Sequence, residues 1–292
     1  MLFDRHLRWA MLLPALLMLL VLTVYPTLNL VAMSVSTIDF VGGREIWSFT
    51  PWLNLSKLRA DQIFRVSLVN TFVFVVLSVT LEMAIGFALA LLVSSVPRMK
   101  GIVRTVMIVP ILMPPVAIGS IWKLLYNYDF GIFNLALATV RLPPVDWLGN
   151  PHLALLSIVL VDVWHWAPFV FLILLAAVEA LPRELIEAAR VDGAGSWTLV
   201  TRIIAPLLMP ALTVAFLFRS IGAFKMFDQV YLLTSGGPGT ATEVVTLHLY
   251  KVFFAQNELG YGSMLSLAII AAVAAFLVTT RGARAGVRGA HA

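Results

Sequence analysis

The sequence predicts an all-α membrane protein with six transmembrane helices, and three observations lead there. Only 12% of the 292 residues are charged while 61% are hydrophobic, about half the charge that a soluble domain carries. The mean hydropathy is +0.96. The apolar residues come in unbroken runs of roughly 20, the length a helix needs to cross a bilayer, without the polar alternation of barrel strands.

The first span is expected at about 9–35, from Trp9 through a Leu-rich stretch to Val35. The second, about 67–94, contains Phe72, Val76, Ile85 and Leu92. The third, about 102–125, is interrupted by Pro110, Pro114 and Pro115, which remove backbone donors and kink or break a helix. The fourth is expected at about 153–178, the fifth at about 206–230 and the last at about 262–280. No repeat, low-complexity tract or linker divides the chain, so it reads as one domain over 1–292.

Lys and Arg set the orientation, because cytoplasmic loops hold an excess of them. With the N-terminus inside, Arg5, Arg8, Arg98, Lys100, Arg104, Arg183, Arg190, Arg202, Arg281, Arg284 and Arg288 fall in cytoplasmic segments. The longer loops opposite hold Arg44, Lys57, Arg59, Arg65, Arg141 and Lys251. Both termini are therefore expected in the cytoplasm, as an even number of spans requires. Arg5 and Arg8 ahead of an apolar core resemble a secretory signal, with a weak cleavage site at Ala32-Met33-Ser34. That core is longer than a signal's, and five spans follow, so an uncleaved first helix is expected.

Several function classes drop out. The net charge of +5 is scattered between apolar spans rather than clustered, which excludes a nucleic-acid surface. Cysteine is absent, so there is neither a disulfide framework nor a thiolate metal site. No G-x-x-x-x-G-K-[ST] loop, H-E-x-x-H helix or G-x-S-x-G elbow occurs. The chain thus has no ATP site of its own and is not expected to be an enzyme.

The connection at about 179–206 is unlike an ordinary membrane loop because it carries helix punctuation. Pro182 suits a first helical position. Glu184 and Glu187 lie toward the positive helix end and Arg190 toward the negative one. Gly193 and Gly195 permit left-handed geometry that ends the helix. Ser196 can cap a second helix through Ile204, which Pro206 ends or bends as the fifth span begins. Ala188 and Ala189 let a partner approach closely, and Glu187 and Asp192 add negative charge; an ordinary amphipathic interfacial loop is the alternative.

Glu187-Ala188-Ala189, three residues, Gly193, nine residues, then Ile203 and Pro206 resemble the E-A-A-x3-G-x9-I-x-L-P motif of bacterial ABC importer permeases. Ala205 stands where that motif has Leu, a loss of packing rather than of chemistry. Phe227-Asp228, with Thr234, Gly236, Gly237 and Pro238 downstream, is similar to the F-D-x-x-x-x-x-T-x-G-G-P signature of carbohydrate permeases. Thr246–Tyr250 and Leu259–Ser263 are similar to that family's continuation. The resemblance covers nearly the whole chain, and within the family it is to the maltose-type and glycerol-phosphate-type first permease. The extra N-terminal helices and large periplasmic insertion of the maltose member are missing. It implies a type I importer transmembrane domain, with Glu187, Ala188, Ala189, Asp192 and Gly193 docking on an ATPase. It also implies a second permease, two ATPase subunits that carry ATP and Mg, and a periplasmic or lipid-anchored solute-binding protein. No cofactor is implied for this chain itself.

Ionisable groups at membrane depth are costly and usually face a cavity or a partner. Glu82 falls midway along span two, and Asp162 and His165 one turn apart in span four. Arg219 lies about 13 residues past Pro206, or roughly 20 Å along a helix. Lys225 and Asp228 are spaced to pair near the outer mouth. Two readings stand: a polar path for a hydroxyl-rich solute, with Arg219 aimed at hydroxyls or an anionic group, or charge neutralisation of Arg219 by Asp162 or Glu82. Trp164 and Trp166 can stack on a sugar ring or serve as anchors and core. A stand-alone secondary transporter is the competing class, but the broken third span has no matching partner in the other half.

Overall fold

Among the described residues, four helices are long and apolar enough to cross a bilayer: Met11–Ser34, Gln62–Ser94, Ala154–Glu179 and Leu259–Thr280. Two bent pairs, Lys100–Leu112 with Pro115–Leu125 and Ser196–Leu207 with Met209–Phe224, bring the number to the expected six when each pair is counted as one span. The structure, a computed structural model, describes the backbone of residues 2–289 and the side chains of 11–96 and 98–280. Arg5, Arg8, Arg281, Arg284 and Arg288 lie outside the described side chains.

In chain order the elements are α1 (Leu2–Ser34), β1 (Ser36–Val41), β2 (Arg44–Phe49), α2 (Pro51–Ala60), α3 (Gln62–Ser94), α4 (Lys100–Leu112), α5 (Pro115–Leu125), α6 (Ile132–Thr139), α7 (Ala154–Glu179) and α8 (Arg183–Val191). Then follow α9 (Ser196–Leu207), α10 (Met209–Phe224), α11 (Asp228–Leu233), α12 (Val245–Ala255) and α13 (Leu259–Gly289). The antiparallel pair β1–β2 is an addition to the expected all-helical chain. Gly42 and Gly43, both at positive φ, turn it.

One compact unit comprises the chain up to Phe64 and from His248 on. In it α1 packs on α13, yet none of the apolar window of α1 is buried within the chain. Asn54 is buried and donates to the carbonyls of Ser34 and Ser36 at 2.9 and 3.0 Å, fixing the exit from α1. Asp61 accepts hydrogen bonds from Tyr261 Oη at 2.5 Å and the Phe64 N–H at 2.8 Å. His248 Nε2 lies 2.8 Å from the same carboxyl. Lys57 pairs with Glu258 at 2.6 Å.

The other unit runs from Arg65 to Leu247. Its most buried span is α7, with 67% of the apolar window covered. On α3 the buried residues Ser67, Thr71, Val75, Ser78, Glu82, Gly86, Ala90 and Val93 recur every three or four positions, one helical stripe. Gly86 lets α3 meet α7 closely, since a Cβ there would sit 2.7 Å from Val170 Cγ1 and 2.9 Å from the Phe171 nitrogen. Ala90, Val93, Val170, Phe171, Leu174, Leu175 and Ala215 form the core of this meeting. The third span breaks by 96° between α4 and α5. Met113 and Pro114 are extended there, because a residue that precedes proline is driven out of helical geometry.

The fifth span departs from expectation. Pro206 sits inside α9, and the 70° bend falls after it, at Leu208, ahead of Pro210. The span ends at Phe224 rather than near 230, and α11 starts at Asp228. Lys225 and Asp228 therefore do not share a helix, and among the described residues no ion pair joins them.

Candidate functional site

The connection between α7 and α10 is built as two short helices at a sharp turn. Gly193 has φ +82° and completes a Schellman end: its N–H donates to Arg190 O at 3.0 Å and the Ala194 N–H to Ala189 O at 2.9 Å. Two local expectations shift by one residue. Pro182 caps α8 from just outside it, and Gly195, at φ −68°, is the cap of the next helix in place of Ser196. That second helix widens into a π-helical turn over Leu199–Ile204.

Of the five expected docking residues, Glu187, Ala188, Asp192 and Gly193 are exposed and Ala189 is buried. Ala189 packs with Val178, Leu199, Ile204 and Leu208, so its small side chain serves the approach of the two loop helices rather than an open flat surface. Burial of Leu199 and Ile204 stabilises this elbow by about 1.5–3 kcal/mol each. Between the helices lies a cleft of about 410 Å³ edged by Ala188, Asp192, Arg202 and Pro206. Ahead of the loop, Glu179, the last residue of α7, binds Lys100 at 3.0 Å and Arg104, both of α4. The loop is thus a stiff, exposed elbow attached to two spans.

The charged residues at membrane depth fall into two groups. Arg219, Glu82 and Asp162 form a buried triad: Arg219 Nε donates to Glu82 Oε2 at 2.5 Å, and Nη2 to Glu82 Oε1 at 2.7 Å and Asp162 Oδ2 at 3.0 Å. Arg219 is only 3% exposed, and both carboxylates that could neutralise its charge lie on its guanidinium. Its guanidinium carbon lies 4.7 Å from the ring centre of Trp166, a cation–π contact.

Beside the triad is a cavity of about 130 Å³ that brings together Asp162, His165, Trp166, Lys225, Asp228 and Gln229. Its wall includes Pro115, at the break of span three, and Gly222, near the end of α10. Five of the eight expected path residues meet here. Glu82, Arg219 and Trp164 are not part of its wall, and Trp164 packs edge-on to Trp122 at 5.6 Å. Consecutive helical positions are about 100° apart, so Trp164 and Trp166 face different ways.

Sequence reasoning missed Gln229, which is buried, with Nε2 3.4 Å from His165 Nδ1. Its Oε1 has no hydrogen-bond partner among the described residues. The T-x-G-G-P stretch folds as a self-bonded loop. The Thr234 and Thr242 hydroxyls meet at 2.7 Å, and Thr242 Oγ1 also contacts Gly237 O at 2.7 Å. Asn70 of α3 donates to Thr240 O and Glu243 O at 2.9 and 3.0 Å, and Thr71 accepts from the Val245 N–H at 3.0 Å. The sequence signal for these α3 partners was the polar spacing along an otherwise apolar span.

Comparison with known proteins agrees with this architecture. Residues 82–283 match the family model described as binding-protein-dependent transport system inner membrane component. The trehalose/maltose transport system permease protein MalF of Thermococcus litoralis is 34% identical over 276 residues, 94% of this chain and 92% of that protein. The sulfoquinovosyl glycerol transport system permease protein SmoG of Agrobacterium fabrum is 32% identical, covering 92% and 87%. A chain in the crystal structure of a bacterial ABC transporter for the acidic polysaccharide alginate has the same fold, with TM-score 0.82 at 21% identity over 96% of this chain and 95% of that one. The chain therefore belongs to the binding-protein-dependent transport system inner membrane components and is a permease subunit of an ABC importer, not an enzyme.

Proposed function

We propose that this permease carries a sugar or sugar-like solute into the cytoplasm, driven by ATPase subunits that dock on the 179–206 elbow. The observation that carries the proposal is the elbow itself. Glu187, Ala188 and Asp192 are exposed around the Gly193 turn, and the hydrophobic base beneath them is packed. A partner that pushes such a lever moves helices rather than bending a loop. ATP and Mg belong to those subunits, since this chain has no phosphate-cradling loop. A second, different permease completes the pore, with the whole chain acting as one permease domain. A binding protein delivers solute from outside, and the Lys and Arg distribution favours both termini in the cytoplasm.

The solute is inferred from two kinds of support. The similar proteins are named for trehalose, maltose and sulfoquinovosyl glycerol transport. The cavity beside the triad is lined by Trp166 together with Asp162, His165, Lys225, Asp228 and Gln229, the mix that recognises a hydroxyl-rich ring. Glu82 and Arg219 act as scaffold beside it. Rotation of the elbow would be transmitted through the Leu208 bend and the Met113–Pro115 break, each at the start of a helix that walls the cavity.

The test is uptake of labelled trehalose and maltose into proteoliposomes that hold the complete transporter and its binding protein. Uptake should require ATP and cease when the ATPase subunits are omitted. Uptake by this chain alone, without ATP, would instead establish a stand-alone carrier.

A further inference from the structure

The segment between the first two spans carries large apolar side chains that nothing in its own unit covers. Phe49 is 76% and Trp52 78% exposed, and Phe40 and Trp47 are also exposed. Isolated exposed apolar residues are common, but a cluster of four aromatics marks a surface that meets something.

The hairpin register sorts these residues. Ser36 pairs with Phe49, Ile38 with Trp47 and Phe40 with Glu45. Cross-strand partners share a face, so Ile38, Phe40, Trp47 and Phe49 lie on one side. The other side holds Thr37, Asp39, Arg44 and Ser48, with Val41 and Ile46 among them. The indole N–H of Trp47 donates to Glu45 at 3.2 Å, which satisfies its polar edge and leaves the ring body bare.

Two observations identify what covers the aromatic face. The first is connectivity. The hairpin begins at Ser36, two residues after a span ends at Ser34, and α2 ends at Ala60, two residues before α3 begins. Both ends are therefore tied directly to membrane-crossing helices. The second is position. Strand β1, through Thr37, Ile38 and Asp39, lines a cleft with Leu259, Gly260 and Tyr261, the first turn of the last span, and Ile38 of the aromatic side is buried. A Cβ on Gly260 would collide with the Ser36 carbonyl. The hairpin thus packs against the end of a membrane-crossing helix, with Phe40, Trp47, Phe49 and Trp52 left exposed beside it. Tryptophan and other aromatic rings collect at that level because one part of the ring is apolar and another polar.

We propose that the Ser36–Phe49 hairpin and the Pro51–Ala60 helix form an interfacial anchor, with Phe40, Trp47, Phe49 and Trp52 seated among lipid headgroups and the upper acyl chains. The anchor steadies the exit of α1, a span that buries none of its apolar window within the chain.

The absence of cysteine makes the test direct. Single cysteines at Phe49, Trp52 and, as a control on the polar side, Arg44 are labelled with a nitroxide in the full chain. The complete transporter is then reconstituted in phosphatidylethanolamine/phosphatidylglycerol nanodiscs. The expected result is an oxygen-to-nickel-complex collision ratio several-fold higher at 49 and 52 than at 44. A ratio at 49 and 52 as low as at 44 would show a face open to water. Labels that neither reagent reaches would show a face covered by protein, the binding protein or second permease. Either outcome overturns the proposal. All three sites are exposed, so labelling leaves packing intact. Quenching of the native tryptophans by brominated lipid, reduced in W47F/W52F, gives an independent reading.

Discussion

Arg219 and Glu82, 137 residues apart in sequence, meet as a forked pair inside the bundle, Nε to Oε2 at 2.5 Å and Nη2 to Oε1 at 2.7 Å. Asp162 takes the remaining bond at 3.0 Å. A buried charge is tolerated only while partnered, and removal of one partner from such a cluster costs about 3–5 kcal/mol.

Arg219→Met should therefore be severe, since it strands two buried carboxylates. Glu82→Gln should be milder, since the Arg219–Asp162 pair survives. Thermal unfolding in detergent, followed by size-exclusion chromatography, ranks the two. Equal loss in both variants would contradict the triad's role as scaffold.

Trp166→Ala should weaken solute handling with assembly preserved. A ring-face contact is worth about 1 kcal/mol, roughly a fivefold rise in the solute concentration for half-maximal uptake. Trp164→Ala should leave that concentration unchanged, because its ring packs against Trp122. The reverse ranking would place the solute elsewhere.

At Gly193 the two obvious substitutions should separate. Nothing lies within 4 Å of an added Cβ, so Gly193→Ala meets only backbone strain of about 1–2 kcal/mol at φ +82°. It should insert and keep partial transport. Gly193→Asp adds bulk and charge at the turn and should abolish ATP-driven uptake while the chain still reaches the membrane. Uptake assays alongside quantitative immunoblots of membranes measure both.

Asp61 gives a pH dependence with a definite sign. Partial burial pushes its carboxyl up, but hydrogen bonds from Tyr261 and the Phe64 N–H, together with His248, outweigh this and hold it below the ordinary carboxylate value. A depressed carboxyl contributes stability above its unfolded value that is lost as pH falls through the folded one. The unfolding midpoint of the wild type should drop on acidification below about pH 4 more steeply than that of Asp61→Asn. Parallel curves would remove Asp61 from the acid response.

Most of the spans were legible because a bilayer imposes length and apolarity on each run. The break at Pro114 and Pro115 was legible too, since adjacent prolines leave few backbone choices. The fifth span was not. Pro206 looked like its start, but it lies one residue before the end of α9, just past the π-helical turn over Leu199–Ile204, and the chain bends only at Leu208. The hairpin escaped notice because Ser36–Val41 and Arg44–Phe49 are short beside the spans. At the candidate cavity, Asp162, His165 and Trp166 were readable as charged or aromatic interruptions of an apolar run. Arg219 was readable as costly, but the choice between solute and carboxylate partners needed coordinates. Gln229 carried no charge to mark it, and Ala189 resembled surface until Leu199 and Ile204 were seen to cover it.

The docking role of the elbow is tested most directly at Ala188, which is exposed and can be made the sole cysteine of the chain. Ala188→Cys, labelled with maleimide-benzophenone and irradiated in membranes that hold the complete transporter, should cross-link to an ATPase subunit and halt ATP-driven uptake. Labelling of that introduced thiol in intact cells by a membrane-impermeant maleimide, or full uptake after cross-linking, would contradict it.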